Sequence, residues 1–347
     1  MPKKHLSEKK CIWILYIFCI CLFALTGCDG TPSGEKNESS SQSSSAKNEF
    51  SVPSTDEEII PDTPVAASPS VDAKGSRDNT SVCLVPQAAG TVVYSNELAA
   101  IDVSNAKDGY ICARYTGSCP KVKLQINFNG SDTTYKYDLK SGGYEIFPLT
   151  SGSGTYSIGI HENISGTTYS TCLYEDIAVT ITDPYSPFLY PNQYVNFTQD
   201  SLTVKKAAEL AEAASSDLDV VSSVYNFVVS SISYDYDKAA GIESGYVCDI
   251  DTILQKQSGI CLDYAAVMAS MLRSQGIPTH LEVGYAGDVY HAWISTYIQD
   301  VGWINGIIHF DGENWSLIDP TFAANSSESA LKKFIGDGSN YTVKYVY

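Results

Sequence analysis

Residues 258–274 read Ser258-Gly259-Ile260-Cys261-Leu262-Asp263-Tyr264-Ala265-Ala266-Val267-Met268-Ala269-Ser270-Met271-Leu272-Arg273-Ser274. A small-residue turn runs into a stretch free of proline and glycine, in which Cys261, Tyr264, Ala265, Met268 and Leu272 recur at offsets 0, 3, 4, 7 and 11. That spacing predicts a helix from Cys261 to about Ser274 with one apolar face. A cysteine on such a face is usually core packing. Position argues otherwise here. A thiol in the first helical turn meets unpaired backbone N–H groups and the positive end of the helix dipole, both of which favour the thiolate.

Outward from this helix, two more helices precede it and strands follow. Val204 to Ala214 and Val220 to Ile232 have helical period; in the second, Val221, Val224, Tyr225, Val228 and Val229 share a face, and Asp217 or Asp219 is placed to cap it. Strands are expected at Leu281 to Tyr285, His291 to Tyr297 and Trp315 to Asp319. Helices first and a mostly antiparallel sheet after them make this region α+β.

A nucleophilic cysteine needs a base and a group that orients the base. Three histidines follow Asp183: His280, His291 and His309. His291 opens its strand and Asp319 closes the other before Pro320. Antiparallel pairing with residue numbers summing to 610 sets His291 opposite Asp319, Trp293 opposite Leu317 and Ser295 opposite Trp315, all on one face. Residues 303–310 also have strand character, and a plain meander would put His291 and Asp319 at opposite ends. The expected pairing therefore needs residues from Gln299 to about Ile308 to loop out. Taken singly, His291 reads as an ordinary strand histidine and Asp319 as a turn former; with Cys261 the three make a nucleophile, a base and an orienter.

Ser258 to Ala265, Arg273-Ser274-Gln275-Gly276-Ile277-Pro278, Val283-Gly284-Tyr285, His291-Ala292-Trp293 and Leu317-Ile318-Asp319-Pro320-Thr321 together resemble the bacterial transglutaminase-like domains of the papain-like cysteine protease superfamily. The resemblance covers roughly residues 188–347. It implies a transglutaminase-like, papain-like cysteine protease fold, with Cys261 as nucleophile, His291 as general base and acid, and Asp319 as orienter. The 299–308 insertion departs from relatives that join the His and Asp strands by a short hairpin. For the oxyanion, the Cys261 N–H is one donor; the family adds a side chain from the segment before the nucleophile helix, where Tyr234 stands. Asp263 reads as a first-turn carboxylate that stabilises the helix, and Cys248 as a buried thiol without a partner. No Asp-x-Asp-x-Asn/Asp-Gly loop marks a calcium site, and no cofactor or metal is expected.

Before the linker at 183–191, with Pro184, Pro187 and Pro191, the period is two. Val122, Leu124, Ile126 and Phe128 alternate with Lys121, Lys123, Gln125 and Asn127, and Asn129-Gly130 marks a turn; Tyr156, Ile158 and Ile160 repeat the pattern. Seven or eight short strands between 80 and 185 predict an all-β, Ig-like sandwich. His161 beside Glu162 reads as a surface residue, and the region is expected to bind or space rather than catalyse. Cys83, Cys112, Cys119 and Cys172 are an even set in an exported domain, which suggests disulfides. Cys112 with Cys119 and Cys83 with Cys172 is one pairing; the spacing does not select it, and buried thiols are the other possibility.

The N-terminus sets the address. Lys3, Lys4, Lys9 and Lys10 precede an apolar run over 11–26, too short to span a bilayer. Leu25-Thr26-Gly27-Cys28 resembles a bacterial lipobox, implying a signal peptide over 1–27, lipidation of Cys28, and attachment to the extracytoplasmic face of the cell membrane. Residues 28–79, with Ser39 to Ser45 and prolines at 53, 61, 64 and 69, read as a disordered tether. The 347-residue chain carries 22 Lys and Arg against 40 Asp and Glu, a net charge of −18, or −21 once four lysines and Glu8 leave with the signal. No basic stripe is present, so nucleic acid is excluded as a partner. These readings converge on an anchored extracellular cysteine-dependent acyl-transfer enzyme, a peptidase or transamidase acting on proteins or cell-wall peptides. The alternatives are an inactive surface-binding lipoprotein or a cell-wall scaffold stalk.

Overall fold

The computed structural model describes residues 75–299, 301–305, 307–310, 315–318 and 341–347, all within one compact unit spanning residues 56–347. The signal, Cys28 and most of the tether lie outside the described residues.

The first part is two four-stranded antiparallel sheets. One orders β1 (Val93–Ser95), β2 (Ala99–Asp102), β3 (Tyr110–Tyr115) and β6 (Glu145–Pro148) as β1-β2-β3-β6. The other orders β4 (Val122–Phe128), β5 (Thr134–Leu139), β7 (Gly154–Ser165) and β8 (Thr168–Val179) as β5-β4-β7-β8. The alternation read in the sequence is the burial pattern: Val122, Leu124 and Ile126 are buried, and they pair with Glu162, Ile160 and Ile158 across β7. Gly130 takes φ 93° in the turn after β4, where Ser131 N–H donates to Phe128 O at 3.0 Å. Only glycine adopts that backbone freely.

Within the segment 183–191, Pro187, Phe188 and Pro191 are buried. A 3-10 turn at Ser186–Phe188 seats Phe188 edge-on against His280 at 4.0 Å and against Trp303 at 5.5 Å between ring centroids. Five helices follow: α1 (Leu202–Ala211), α2 (Asp217–Ser231), α3 (Tyr236–Gly241), α4 (Ile250–Lys256) and α5 (Cys261–Ser274). The N-cap of α2 is Ser216, and of the two expected residues Asp219, not Asp217, takes part in the cap. Its hydroxyl accepts Asp219 N–H, and the Asp219 carboxylate accepts the N–H of Ser216 and of Ser215 at 2.9 Å. A hydroxyl and a carboxylate three residues apart satisfy two orphan donors reciprocally, which a lone aspartate does not.

The second sheet system is β11 (Thr279–Ala286), β12 (Val289–Ile298), β13 (Gly302–Asn305) and β16 (Tyr341–Val346) in the order β13-β12-β11-β16, with β14 (Ile307–Phe310) paired to β15 (Trp315–Ile318) beside it. This corrects the expected register. Residues 303–305 and 307–310 do not loop out: β13 pairs with β12, setting Ser295 opposite Asn305, while β15 pairs with β14, setting Leu317 opposite Ile308 and Trp315 opposite Phe310. The cause is local. Val301 N–H closes a turn onto Ile298 O at 3.1 Å, Gly302 supplies φ 100°, and the Trp303 ring stacks on His280 at 3.7 Å. A turn, a left-handed glycine and an aromatic anchor favour an immediate hairpin over a long loop. Asp319 follows β15 and lies outside the described residues.

One hydrophobic core joins both parts. The Tyr347 ring lies 5.8 Å from Tyr135 and 5.9 Å from Tyr137 on β5, while Tyr347 exchanges backbone hydrogen bonds with Leu281 of β11. Helix α5 is buried from Asp263 to Ser274, packed between α1, α2 and α4 on one side and β11 and β12 on the other. No helix among the described residues is long and apolar enough to cross a membrane.

Candidate active site

Two short segments hold the start of α5. β9 (Ser233–Tyr234) and β10 (Ser258–Gly259) form a two-residue parallel ladder. Ser233 N–H donates to Gln257 O and Asp235 N–H to Gly259 O, each at 2.9 Å. Gln257, at φ 53°, is the non-glycine residue in left-handed backbone that ends α4 and aims the chain at Cys261. Tyr234 is thereby fixed beside the segment that leads into Cys261.

Ile260 occupies the N-cap of α5 with φ −99° and ψ 176°. An isoleucine has no side-chain acceptor, so the turn is closed differently. Ile260 O accepts the N–H of Asp263 at 2.9 Å and of Tyr264 at 3.1 Å. In a trans peptide the C=O and the following N–H point opposite ways. With the Ile260 carbonyl drawn into the helix, the Cys261 N–H is directed out of it, and the half-buried Cys261 side chain leaves from the same turn.

Asp263 is fully buried and is the hub beneath this turn. Its Oδ2 accepts Ile260 N–H at 2.8 Å and Lys238 Nζ at 2.5 Å, and its Oδ1 accepts the Tyr246 hydroxyl at 2.7 Å. Lys238 Nζ also donates to the Tyr246 hydroxyl at 2.7 Å. Cys248 is not partnerless as the sequence suggested: burial first, then the adjacent Asp263 charge and hydrogen bond, push its thiol far up, while Lys238 opposes them. Gly259 is needed here, because a Cβ would come within 2.8 Å of Asp263 Cβ. Sequence reading placed Asp263 correctly at the first turn of the helix but missed Lys238 and Tyr246. The available signal was the isoleucine N-cap, which leaves the Asp263 carboxylate to do the capping.

On the sheet side, α5 packs directly on β12, which carries His291. His291 is 4% exposed, sits opposite Gly284 of β11, and lies 6.2 Å from Trp293 with the rings nearly parallel. Two tyrosines lie within electrostatic reach of Cys261. Tyr234 is pushed above the usual phenol range by burial and then by Cys261; Tyr290, next to His291, is pushed up to about 12 by burial and its tyrosine neighbours, with Cys261 contributing. Of the expected set, the structure describes Cys261 at the start of α5, Tyr234 on the adjacent β9 and His291 on β12, the strand against which α5 packs, while Asp319 and Cys28 are outside the described residues. His280 is held elsewhere, between Phe188 and Trp303, with Nδ1 3.1 Å from Glu282 Oε1; burial lowers its pKa. Among the described residues no cluster of His, Cys, Asp and Glu is arranged to hold a metal ion.

The described cysteines, Cys83, Cys112, Cys119, Cys172, Cys248 and Cys261, are free thiols, so neither expected disulfide is formed. Cys112 lies buried in β3, and the Cys119 thiol donates to Lys121 O at 3.4 Å. His161, expected at the surface, is half-buried in β7, with Nδ1 3.2 Å from the Thr171 hydroxyl.

Residues 204–306 match the family described as Transglutaminase-like superfamily, a span that contains Cys261 and His291. A UPF0252 protein of Methanocaldococcus jannaschii is 24% identical over 220 residues, 57% of this chain and 61% of that protein. A protein-glutamine gamma-glutamyltransferase of Pseudomonas aeruginosa is 27% identical over 107 residues, 26% of this chain and 14% of that protein. The chain therefore spans less than two thirds of the length of these relatives. The crystal structure of the periplasmic domain of TgpA from Pseudomonas aeruginosa is 15% identical, covering 71% of this chain and 80% of that one, with a TM-score of 0.31.

Proposed function

From a chain that carries a bacterial transglutaminase-like domain, we propose an enzyme that cleaves or transfers acyl groups at peptide or amide bonds through a thioester on Cys261. The observation that carries this reading is the first turn of α5, where one residue offers both a thiol and an outward backbone N–H, on a helix packed against the strand bearing buried His291.

The Cys261 thiolate attacks the carbonyl carbon, a C–S bond forms, and the carbonyl electron pair moves to oxygen. The Cys261 N–H donates to that oxyanion. The Tyr234 phenol is the second donor; burial and the Cys261 charge hold its pKa high, so it keeps its proton at neutral pH and remains able to donate. Collapse re-forms the C=O and breaks the C–N bond, and His291, having taken the thiol proton, gives it to the leaving amine. Water or a second amine, deprotonated by His291, then resolves the thioester, yielding hydrolysis or transamidation respectively. Asp319 orients the His291 ring. The substrates are proteins or cell-wall peptides, met at the extracytoplasmic face by an enzyme anchored through lipid on Cys28.

The test is alkylation of the full chain from pH 5 to 8, read by site-resolved mass spectrometry. Cys261 is expected to label below pH 7, with loss of that labelling in His291→Ala and of the site itself in Cys261→Ala. Labelling of Cys261 no faster than an ordinary thiol sinks the proposal.

A further inference from the structure

A buried carboxylate two residues from a nucleophilic thiol raises an electrostatic problem. Asp263 is 0% exposed, and its described partners include a backbone N–H, an ammonium, a phenol and the Cys248 thiol, the partners of an anion. A bare anion at that position opposes a second anion on Cys261. The Lys238 ammonium, 23% exposed on α3, is placed 2.5 Å from Asp263 Oδ2. Asp235 caps α3 by accepting Lys238 N–H at 2.9 Å, and its backbone is tied to Gly259, so the lysine is delivered by the same ladder that holds Tyr234. The ammonium also lies 4.5 Å from the Tyr246 ring centroid, a cation–π contact that fixes the long side chain.

We propose that Lys238 is a positioning residue for the nucleophile: acting through Asp263, it cancels the buried charge at the first turn of α5, so that the Cys261 thiolate forms beside a neutral ion pair. The inference rests on the reading of Cys261 as nucleophile. The same competition operates at a second thiol in the cluster, where Asp263 raises Cys248 and Lys238 lowers it. The other charged or titratable groups that the described residues bring into contact or charge interaction with this cluster are Tyr234 of β9, Asp235 at the cap of α3, Tyr236 of α3, Tyr246, Cys248 and Asp249 before α4, Tyr264 of α5 and Tyr290 of β12. Lys238 is the one cation in that set.

The experiment is the pH midpoint of Cys261 alkylation in the full chain, for wild type, Lys238→Met, Asp263→Asn, the double variant and Lys238→Arg, with circular dichroism on each sample. Lys238→Met is expected to move the midpoint up by about one pH unit, roughly a tenfold loss of labelling below it. Asp263→Asn moves it down, the double variant returns it towards wild type, and Lys238→Arg rescues it. A merely structural salt bridge would not give shifts of opposite sign. An unmoved midpoint in Lys238→Met, or a double variant shifted as far as the single, overturns the inference. If Lys238→Met does not fold, the downward shift in Asp263→Asn decides, and its absence overturns the inference. Wild type that fails to label below pH 7 refutes the nucleophile itself, a result distinct from wild type that labels with unshifted variants.

Discussion

Arg273 offers a severe test of how helix α5 is held to the sheet. Its guanidinium is fully buried in the last turn of α5, yet its described partners are main-chain carbonyls with no carboxylate among them. Nε and Nη2 donate to Thr279 O at 3.0 and 2.7 Å, Nη1 to Tyr190 O at 2.9 Å, and Nη2 to Tyr347 O at 2.7 Å. One side chain therefore ties α5 to the start of β11, to the 183–191 segment and to the end of β16. Burial lowers its pKa to about 9, which leaves it charged at neutral pH. Arg273→Met keeps most of the stem volume and removes all four bonds. Three carbonyls losing a charged donor would lose about 1.5 kcal/mol each at the low end. Relief of the desolvated charge offsets part of this, so the expected net loss is about 2–4 kcal/mol. Arg273→Lys retains the charge but not the planar fork, and should recover less than half. Urea unfolding followed by tryptophan fluorescence reads both variants, with the slope m unchanged. A loss under about 1 kcal/mol for Arg273→Met would refute the argument that these carbonyls depend on the guanidinium.

Two further outcomes follow from the fold. Gly302→Ala meets no atom within 4 Å of the added Cβ, so its effect is the backbone strain of φ 100° alone, about 1 kcal/mol, seen as a lowered Tm; an unchanged Tm would mean the turn into β13 is not left-handed. Cys112 is pushed up to about 12 by burial and Asp102, and Cys248 is pushed further by burial and Asp263, so at pH 8 both are almost wholly thiols. In the native chain they should resist alkylation and become reactive only in denaturant; rapid native labelling, or recovery of a Cys112–Cys119 or Cys83–Cys172 disulfide by mass spectrometry, would contradict the structure.

The sequence by itself determined the elements whose periodicity is strong and local. The helix over Cys261–Ser274 starts and ends where its apolar spacing placed it, and Val122, Leu124 and Ile126 bury the face their alternation marked. It also singled out Cys261 and His291 as candidates, because a thiol at a helix start and a histidine near a strand start are features of single segments. What spans segments was decided by tertiary structure. Pairing of the strands after His291 turned on a glycine backbone at 302 and on Trp303 stacking against His280, a contact between residues 23 apart. β16 joins β11 although more than fifty residues separate them, and its position is secured in part by Arg273. The partners of Asp263 are the clearest case. Periodicity places that aspartate on the first turn of α5, but only the folded chain brings Lys238 and Tyr246 to it. A buried carboxylate must recruit donors from whatever elements pack against it.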